Sequence, residues 1–349
     1  MIIYSKTDDV APGAIGKIET PIKMIIEHES DLQKKQGGIC DWLFNIEKSN
    51  RFGETIISQS GFDIFKATAE GEAAETDCVY ETYSKFIEHV QYMKEFVITA
   101  EMMEDAHFGI GADAKRRAES FTRAYYKTMN KLATAALANG HKSSMSFAGT
   151  TIDLTTGDDY PLFASKHKYG ATGSSQSNYF YGDIFSSGEA GSRVYSSDLF
   201  EEKLALLSMK LRNMKDENGE PLGYTADTII LPGNRPFAES IVKRTCGSYV
   251  SASAPGQINT QYGNWNVVIM PSWQTTDDRI MIMSSEANRN LAGNMFFNRV
   301  PLTISSFIDH HTGNYVFNGR CRFGVGFGTY KHILLAVDSA TQVDSATAV

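Results

Sequence analysis

Cysteine is scarce in this 349-residue chain: four are present, and Cys40, Cys78, Cys246 and Cys321 lie far apart with no Cys-x-x-Cys pair. That spacing excludes a disulfide scaffold and suits a reducing cytoplasm. Long apolar runs are missing as well. The longest, such as Val267 to Met270 and Ile333 to Val337, are strand-sized and too short to span a bilayer. The opening Met-Ile-Ile-Tyr-Ser-Lys-Thr-Asp-Asp falls short of a signal-peptide core and has no small-residue cleavage site behind it, so no export is expected. Basic charge is in deficit, with 33 Lys and Arg against 41 Asp and Glu, for a net charge of -8. A dedicated, sequence-reading nucleic-acid binder is normally basic, so that class is disfavoured.

What is present is core material. At 42% hydrophobic residues the chain can bury a large interior, and its length predicts two or more lobes. Residues 1 to 51 mix Gly, Pro and charge around one amphipathic stretch, Ile22 to Leu32, and read as an arm that needs a neighbour. From Phe62 to Thr99 the pattern is extended. Phe62 to Phe65 alternates, and Val90, Tyr92, Phe96 and Ile98 share a face at period two. Between them, Ala69 to Glu81 carries Glu70, Glu72, Glu75, Asp77 and Glu81 with no Lys or Arg, which predicts a long exposed hairpin with an acidic tip. Such a hairpin has little core and favours docking on another subunit.

The clearest helix spans Asp113 to Asn139, where Ala114, Ala118, Phe121, Tyr125, Met129, Leu132 and Ala136 form one apolar stripe and Gly140 supplies a stop. Its other face is basic: Lys115, Arg116, Arg117, Arg123, Lys127 and Lys131 stand against Asp113 and Glu119. Such a face can touch phosphates without reading sequence, or be merely solvated. After the Gly/Ser-rich stretch 170 to 187, Asp198 with Glu201 predicts a capped helix whose stripe is Phe200, Leu204, Leu207, Leu211 and Met214. Thr228 to Leu231 reads as a buried strand, and Asn234 as the cap of a helix ending at Gly247. Further strands are expected at Val267 to Met270 and Ile280 to Met283, giving a mixed helix-and-strand lobe. A long hairpin turns at His311-Thr312-Gly313-Asn314, His332 to Val337 is a last strand, and Asp338 to Val349 reads as a peripheral tail.

The chemical motifs are weak. Asp309-His310-His311 has zinc-ligand or hydrolase chemistry, but neighbours on a strand point to opposite faces and the cluster ends in a turn. Lys166-His167-Lys168 reads as a solvated loop, with no phosphate-binding glycine loop before it. Gly324, Gly326 and Gly328 alternate, which in a strand marks a bend or a close backbone contact. No Gly-x-Ser-x-Gly or His-Glu-x-x-His motif is present. The expectation is therefore no enzyme, with no catalytic, cofactor-binding or metal residues.

In order and type, these elements resemble the major head proteins of tailed bacteriophages with the Hong Kong 97-type fold, in particular the Mu-like branch. The resemblance rests most on Tyr160-Pro161-Leu162-Phe163-Ala164-Ser165-Lys166-His167, on Ala226 to Gly233 with its helix, and on Pro301 to Gly328. It implies an α+β fold: an N-terminal arm at 1–51, an extended hairpin loop at 52–100, and a peripheral domain at 101–180 and 290–328 with the spine helix at 113–139. The axial domain and tail would occupy 181–289 and 329–349. It also implies a self-assembling capsid subunit, forming pentamers and hexamers of an icosahedral head around double-stranded DNA. That subunit would be assembled in the bacterial cytoplasm and located in the virion. Glu70, Glu72, Glu75, Asp77 and Glu81 would touch neighbouring subunits, and Lys115, Arg116, Arg117, Arg123 and Lys127 would face the lumen. Further partners would be a portal, a decoration protein and, because only about fifty residues precede the hairpin, a separate scaffolding protein rather than a cleaved extension, with no membrane and no cofactor. Some relatives join a lysine to an asparagine; Lys66 and Asn298 are conceivable positions, and no bond is predicted. The alternatives are an encapsulin-like protein compartment and a hydrolase using Asp309, His310 and His311.

Overall fold

The computed structural model describes residues 3–4, 15–59, 62, 65–73, 76, 81–104, 112–169, 174–188, 194–247, 259 and 261–338. The expected tail 339–349 lies outside them, as do Glu75, Asp77 and Cys78. The chain begins with β1 (Ile3–Tyr4), α1 (Ile15–Gln36), α2 (Ile39–Leu43) and β2 (Asn45–Lys48). An antiparallel hairpin of β3 (Gly53–Gln59) and β4 (Glu81–Glu88) follows, then β5 (Val90–Ile98), α3 (Ala100–Glu104) and the long α4 (Ala112–Ala138). Small ribbons come next: β6 (Ser144–Phe147) with β7 (Thr150–Asp153), and β8 (His167–Tyr169) with β9 (Ser174–Gln176). After them run β10 (Tyr179–Gly182), the ribbon of β11 (Ser186–Ser187) and β12 (Val194–Tyr195), α5 (Ser197–Arg212), β13 (Thr228–Pro232) and α6 (Pro236–Gly247). The last third holds β14 (Asn266–Met270), β15 (Asp278–Met283), α7 (Ser285–Asn290), the hairpin β16 (Asn294–Ile308) and β17 (Tyr315–Phe327), and β18 (Ile333–Asp338).

Two larger sheets organise these elements. The first has the order β1-β16-β17-β5, with β2 also pairing β16, and the second has the order β10-β18-β15-β13-β14. One core fills the space between them. Ile230, Met281, Met283, Ile333, Leu335 and Val337 of the second sheet meet Phe296, Phe323, Val325 and Phe327 of the first, together with Leu132, Ala136 and Leu137 of α4. The opposite face of the second sheet, Ile229, Leu231, Ile280, Ile282, Leu334 and Ala336, packs on Leu204, Leu207 and Val242 of α5 and α6. Strands covered on both faces cannot alternate, which is why all six residues of β18 are buried. The fold class is α+β, as expected.

The apolar stripe of α4 does what its period dictates. Ala114, Ala118, Phe121, Met129, Leu132 and Ala136 are buried. Two glycines allow close approach: a Cβ at Gly319 would sit 2.3 Å from the Phe121 ring, and one at Gly140 would sit 2.9 Å from Phe163. Gly140 is thus required by packing rather than by a left-handed helix stop.

Four local expectations need correction. Residues 22–48 are not an arm waiting for another chain. Ile22 and Ile26 are fully buried against Ala118 and Leu302, Ser30 hydrogen-bonds Tyr126, and Cys40, Leu43 and Phe44 enter the main core. The hairpin strand expected at Phe62 to Phe65 lies instead at β3, while β5 pairs with β17; Phe62 and Phe65 are outside any strand, and Asp63 and Ile64 lie outside the described residues. The cap of α5 is Ser196, whose hydroxyl accepts from the Leu199 amide at 3.4 Å, two residues before the expected start. Asn234 does not cap α6. Its amide clamps the far loop instead, donating to the Thr275 carbonyl at 2.9 Å and accepting from the Thr275 amide at 3.1 Å.

Candidate functional site

The titratable clusters come first, since chemistry would have to start there. His167, expected in a solvated loop, is fully buried. Its Nδ1 lies 2.8 Å from Asp158 Oδ2, its Nε2 donates to the Leu162 carbonyl at 3.2 Å, and its ring stacks on Tyr330 at 3.7 Å. The Lys168 amide donates to the same Asp158 oxygen, and the Thr156 hydroxyl to the other. Burial pushes the Asp158 carboxyl up, but hydrogen bonding and charge from His167, with Thr156 and the Tyr160 amide, hold it below the ordinary value. Both ring nitrogens of His167 are committed to oxygens of the chain, so this group ties the loop after α4 to the crossing between β17 and β18. Asn178 extends the tie by donating to the Leu162 carbonyl at 2.6 Å while accepting from the Ala164 amide at 3.0 Å.

A second knot sits where β15 passes to β16. His332 Nε2 lies 2.8 Å from Asn294 Oδ1, the Asn294 amide donates to Asn288 Oδ1 at 2.7 Å, and the Asn288 and Asn294 side chains both donate to the Leu43 carbonyl. Burial drives the His332 imidazole down to about 3. Two buried lysines complete the picture: Lys331 pairs with Glu217, and Lys85 of β4 pairs with Asp153 and donates to Thr155 at 2.6 Å. Sequence reasoning missed all of these. One signal was available, because Lys85 sits at the inward period-two position between Tyr83 and Ile87.

At Asp309-His310-His311 the carboxylate is used by the turn itself, accepting from the His311 amide at 3.0 Å and the Thr312 hydroxyl at 2.7 Å. Those hydrogen bonds hold its pKa down. Among the described residues no group of three or more His, Cys, Asp or Glu is arranged to hold a metal ion, and no helix is long and apolar enough to cross a membrane.

The surfaces remain. At the hairpin tip, Glu70, Glu72 and Glu81 are exposed, with a turn closed by the Glu72 amide donating to the Ala69 carbonyl at 3.1 Å. The hairpin's base crosses the glycine track of β17: a Cβ at Gly324 would lie 2.6 Å from the Glu88 carbonyl oxygen, and one at Gly326 would lie 2.6 Å from Ile87. Its outward face leaves Phe52, Ile57 and Phe86 exposed, and Phe65 beyond it is entirely so, at 105%. On α4 the basic face is partly used within the chain. Arg123 binds Glu29 at 2.7 Å, Lys115 lies 3.9 Å from Glu119, Arg116 lies 3.6 Å from Asp113, and Arg117 donates to the Val97 carbonyl at 2.6 Å. No ion pair is formed by Lys127 or Lys131 among the described residues.

No protein-family model and no curated protein matches the chain. Solved structures do. The capsid of Myoviridae phage XM1 superposes with a TM-score of 0.50 at 11% identity, over 86% of this chain and 92% of that one. The fold is similar to that of a phage capsid chain. Mycobacterium phage Patience (TM-score 0.48, 14% identity, 98% and 92% covered) and the capsid of an empty GTA particle (0.48, 12%, 96% and 94%) are also similar. These identities speak for the fold, and they do not single out the Mu-like branch.

Proposed function

We propose that this chain is the major capsid subunit of a tailed phage, building a shell by self-association and performing no catalysis. The observation that carries this reading is the XM1 likeness, which spans both sheets and nearly the full length of each chain. The chain's own design supports it. Its histidines and buried lysines serve as internal ties, while its least supported parts, the hairpin and its tip, project apolar and acidic side chains outward. The finer reading is a Hong Kong 97-type subunit in pentamers and hexamers of an icosahedral head around double-stranded DNA. In it, 52–100 is the extended loop, 101–180 and 290–328 form the peripheral domain, and 181–289 with 329–349 forms the axial domain. Glu70, Glu72, Glu75, Asp77 and Glu81 contact neighbouring subunits. Of the basic spine, Lys115 and Arg123 are engaged by carboxylates of the same chain, so Lys127 is the residue best fitted to a lumen contact with DNA phosphates. A scaffolding protein, a portal and a decoration protein are the partners this role needs.

Electron microscopy of the expressed full chain tests the proposal. Closed shells or ring-shaped capsomers are expected, and a small monodisperse particle would refute it. Deleting 69–81 is expected to leave a soluble chain with an unchanged circular-dichroism spectrum that no longer forms shells; normal shells after that deletion would remove the docking role. Nuclease-protected DNA in shells from infected cells separates a phage head from a protein compartment.

A further inference from the structure

Two recesses adjoin each other between β5 and α4. One is apolar, about 220 Å³, walled by Tyr92, Phe121, Tyr125, Leu302 and Cys321. The other is an open hollow of about 400 Å³ that carries Lys94, Arg116 and Arg117 against Glu95 and Asp113. Lys94, Phe121 and Ala124 line both, so the two are continuous. The Tyr92 hydroxyl, in the apolar wall, is buried with no hydrogen-bond partner among the described residues. β5 is the end strand of its sheet, and no described strand pairs with its outer side. The groove therefore offers an apolar pocket, a basic hollow beside it, an unanswered hydroxyl and an unpaired strand edge.

The chain also carries a segment with the complementary order. Phe62 is 74% exposed and Phe65 wholly so, and the acidic turn bearing Glu70 and Glu72 follows within seven residues of Phe65. Seven residues reach at most about 23 Å when extended, enough to serve two adjoining recesses at once. We propose that the hairpin tip of one copy docks in this groove of a second copy, with Phe65 in the apolar recess and Glu70 and Glu72 against Arg116 and Arg117. This rests on the shell reading above and names the surface that receives the hairpin. Apolar followed by acidic meets apolar beside basic, and a DNA phosphate backbone would make no use of the aromatic pocket.

A photoreactive phenylalanine analogue at position 65 of the full chain, assembled with isotope-labelled copies, tests the placement. Inter-copy cross-links to peptides containing Tyr92, Tyr125 or Cys321 are expected; cross-links confined to other surfaces overturn it. The charge contact is tested by exchange. Glu70→Lys with Glu72→Lys should lower shell yield at least tenfold, Arg116→Glu with Arg117→Glu should do the same, and the four together should recover yield to within threefold of the parent. All variants should keep the parent melting temperature, since every substituted side chain is exposed. No recovery in the combined variant overturns the pairing. Arginine variants that form normal shells holding less nucleic acid would assign the hollow to DNA and overturn it too. If the parent chain itself forms no shells or capsomers, the shell reading fails first and this docking falls with it.

Discussion

The glycine track of β17 gives the sharpest test of how the chain is packed. A Cβ at Gly328 would lie 2.3 Å from the carbonyl oxygen of Ala292, a backbone atom that cannot step aside, whereas one at Gly326 would meet the Cδ1 of Ile87 at 2.6 Å. Gly328→Ala is therefore expected to cost about 3 kcal/mol or more, and Gly326→Ala, where a side-chain tip can rotate, about 1 kcal/mol. With an unfolding entropy of about 2.1 cal/mol/K per residue over 349 residues, those costs lower the melting temperature by about 4 °C and 1.5 °C. Gly247→Ala is the control, because no atom lies within 4 Å of its Cβ position and its backbone is not left-handed. Differential scanning calorimetry of the three variants reads the order directly. A Gly328→Ala protein that melts no lower than Gly326→Ala would show that the approach of the β16 leader to β17 does not require glycine, and the reasoning would fail.

Two further outcomes follow from the buried charges. The Lys85 side chain is 8% exposed and that of its partner Asp153 is 59% exposed, so the pair should be asymmetric. Lys85→Met leaves Asp153 to water and should cost about 1 kcal/mol, while Asp153→Ala strands a buried ammonium with only Thr155 and should cost about 3 kcal/mol; equal costs in urea unfolding would contradict this. Burial lowers the His332 pKa to about 3 in the folded chain, whereas an unfolded histidine titrates near about 6.5. The unfolded state thus takes the proton first, and this site's contribution to stability is lost as pH falls from about 6.5 toward 3. His332→Gln should flatten the melting-temperature profile across that window, and a profile as steep as the parent's would exclude His332 as a source.

What was legible in the sequence was whatever repeats locally. The α4 stripe, the α5 stripe from Phe200 to Met214, β13 and β18 each declare their burial through spacing alone, and the β16-β17 hairpin declares itself through its turn residues. The failures share a cause, which is that the deciding partner is remote in sequence. His167 looked solvated between two lysines because Asp158 sits nine residues away and Tyr330 lies across the fold. Asn234 looked like a cap because Thr275, which it binds, could not be seen. Phe62 to Phe65 alternated like a strand, but a four-residue period says nothing about what it pairs with, and β3 holds that place. Of the proposed contact surfaces, the acidic tip and the basic helix face were visible as charge runs. The apolar recess beside the basic hollow was not, because Tyr92, Tyr125, Leu302 and Cys321 come from separate elements.

The positions of the polar ties bear on how such a subunit can adapt. Three chain crossings connect the two sheets: the segment after α4, the passage from β15 to β16, and the passage from β17 to β18. His167 with Asp158 locks the first to the third, and His332 with Asn294 locks the second to the third. The space between the sheets is a single close-packed apolar core. A joint made this way resists bending, since any rotation would open packed surface and break buried hydrogen bonds at once. The outer hairpin has the opposite construction. Beyond Ile56 and Ile87 it contributes nothing to the clusters of buried residues, and its base rests on bare glycine backbone. Local opening and small changes of angle are therefore cheapest there. A subunit that must fit non-identical neighbours would have to yield at the hairpin while its two sheets move as one body.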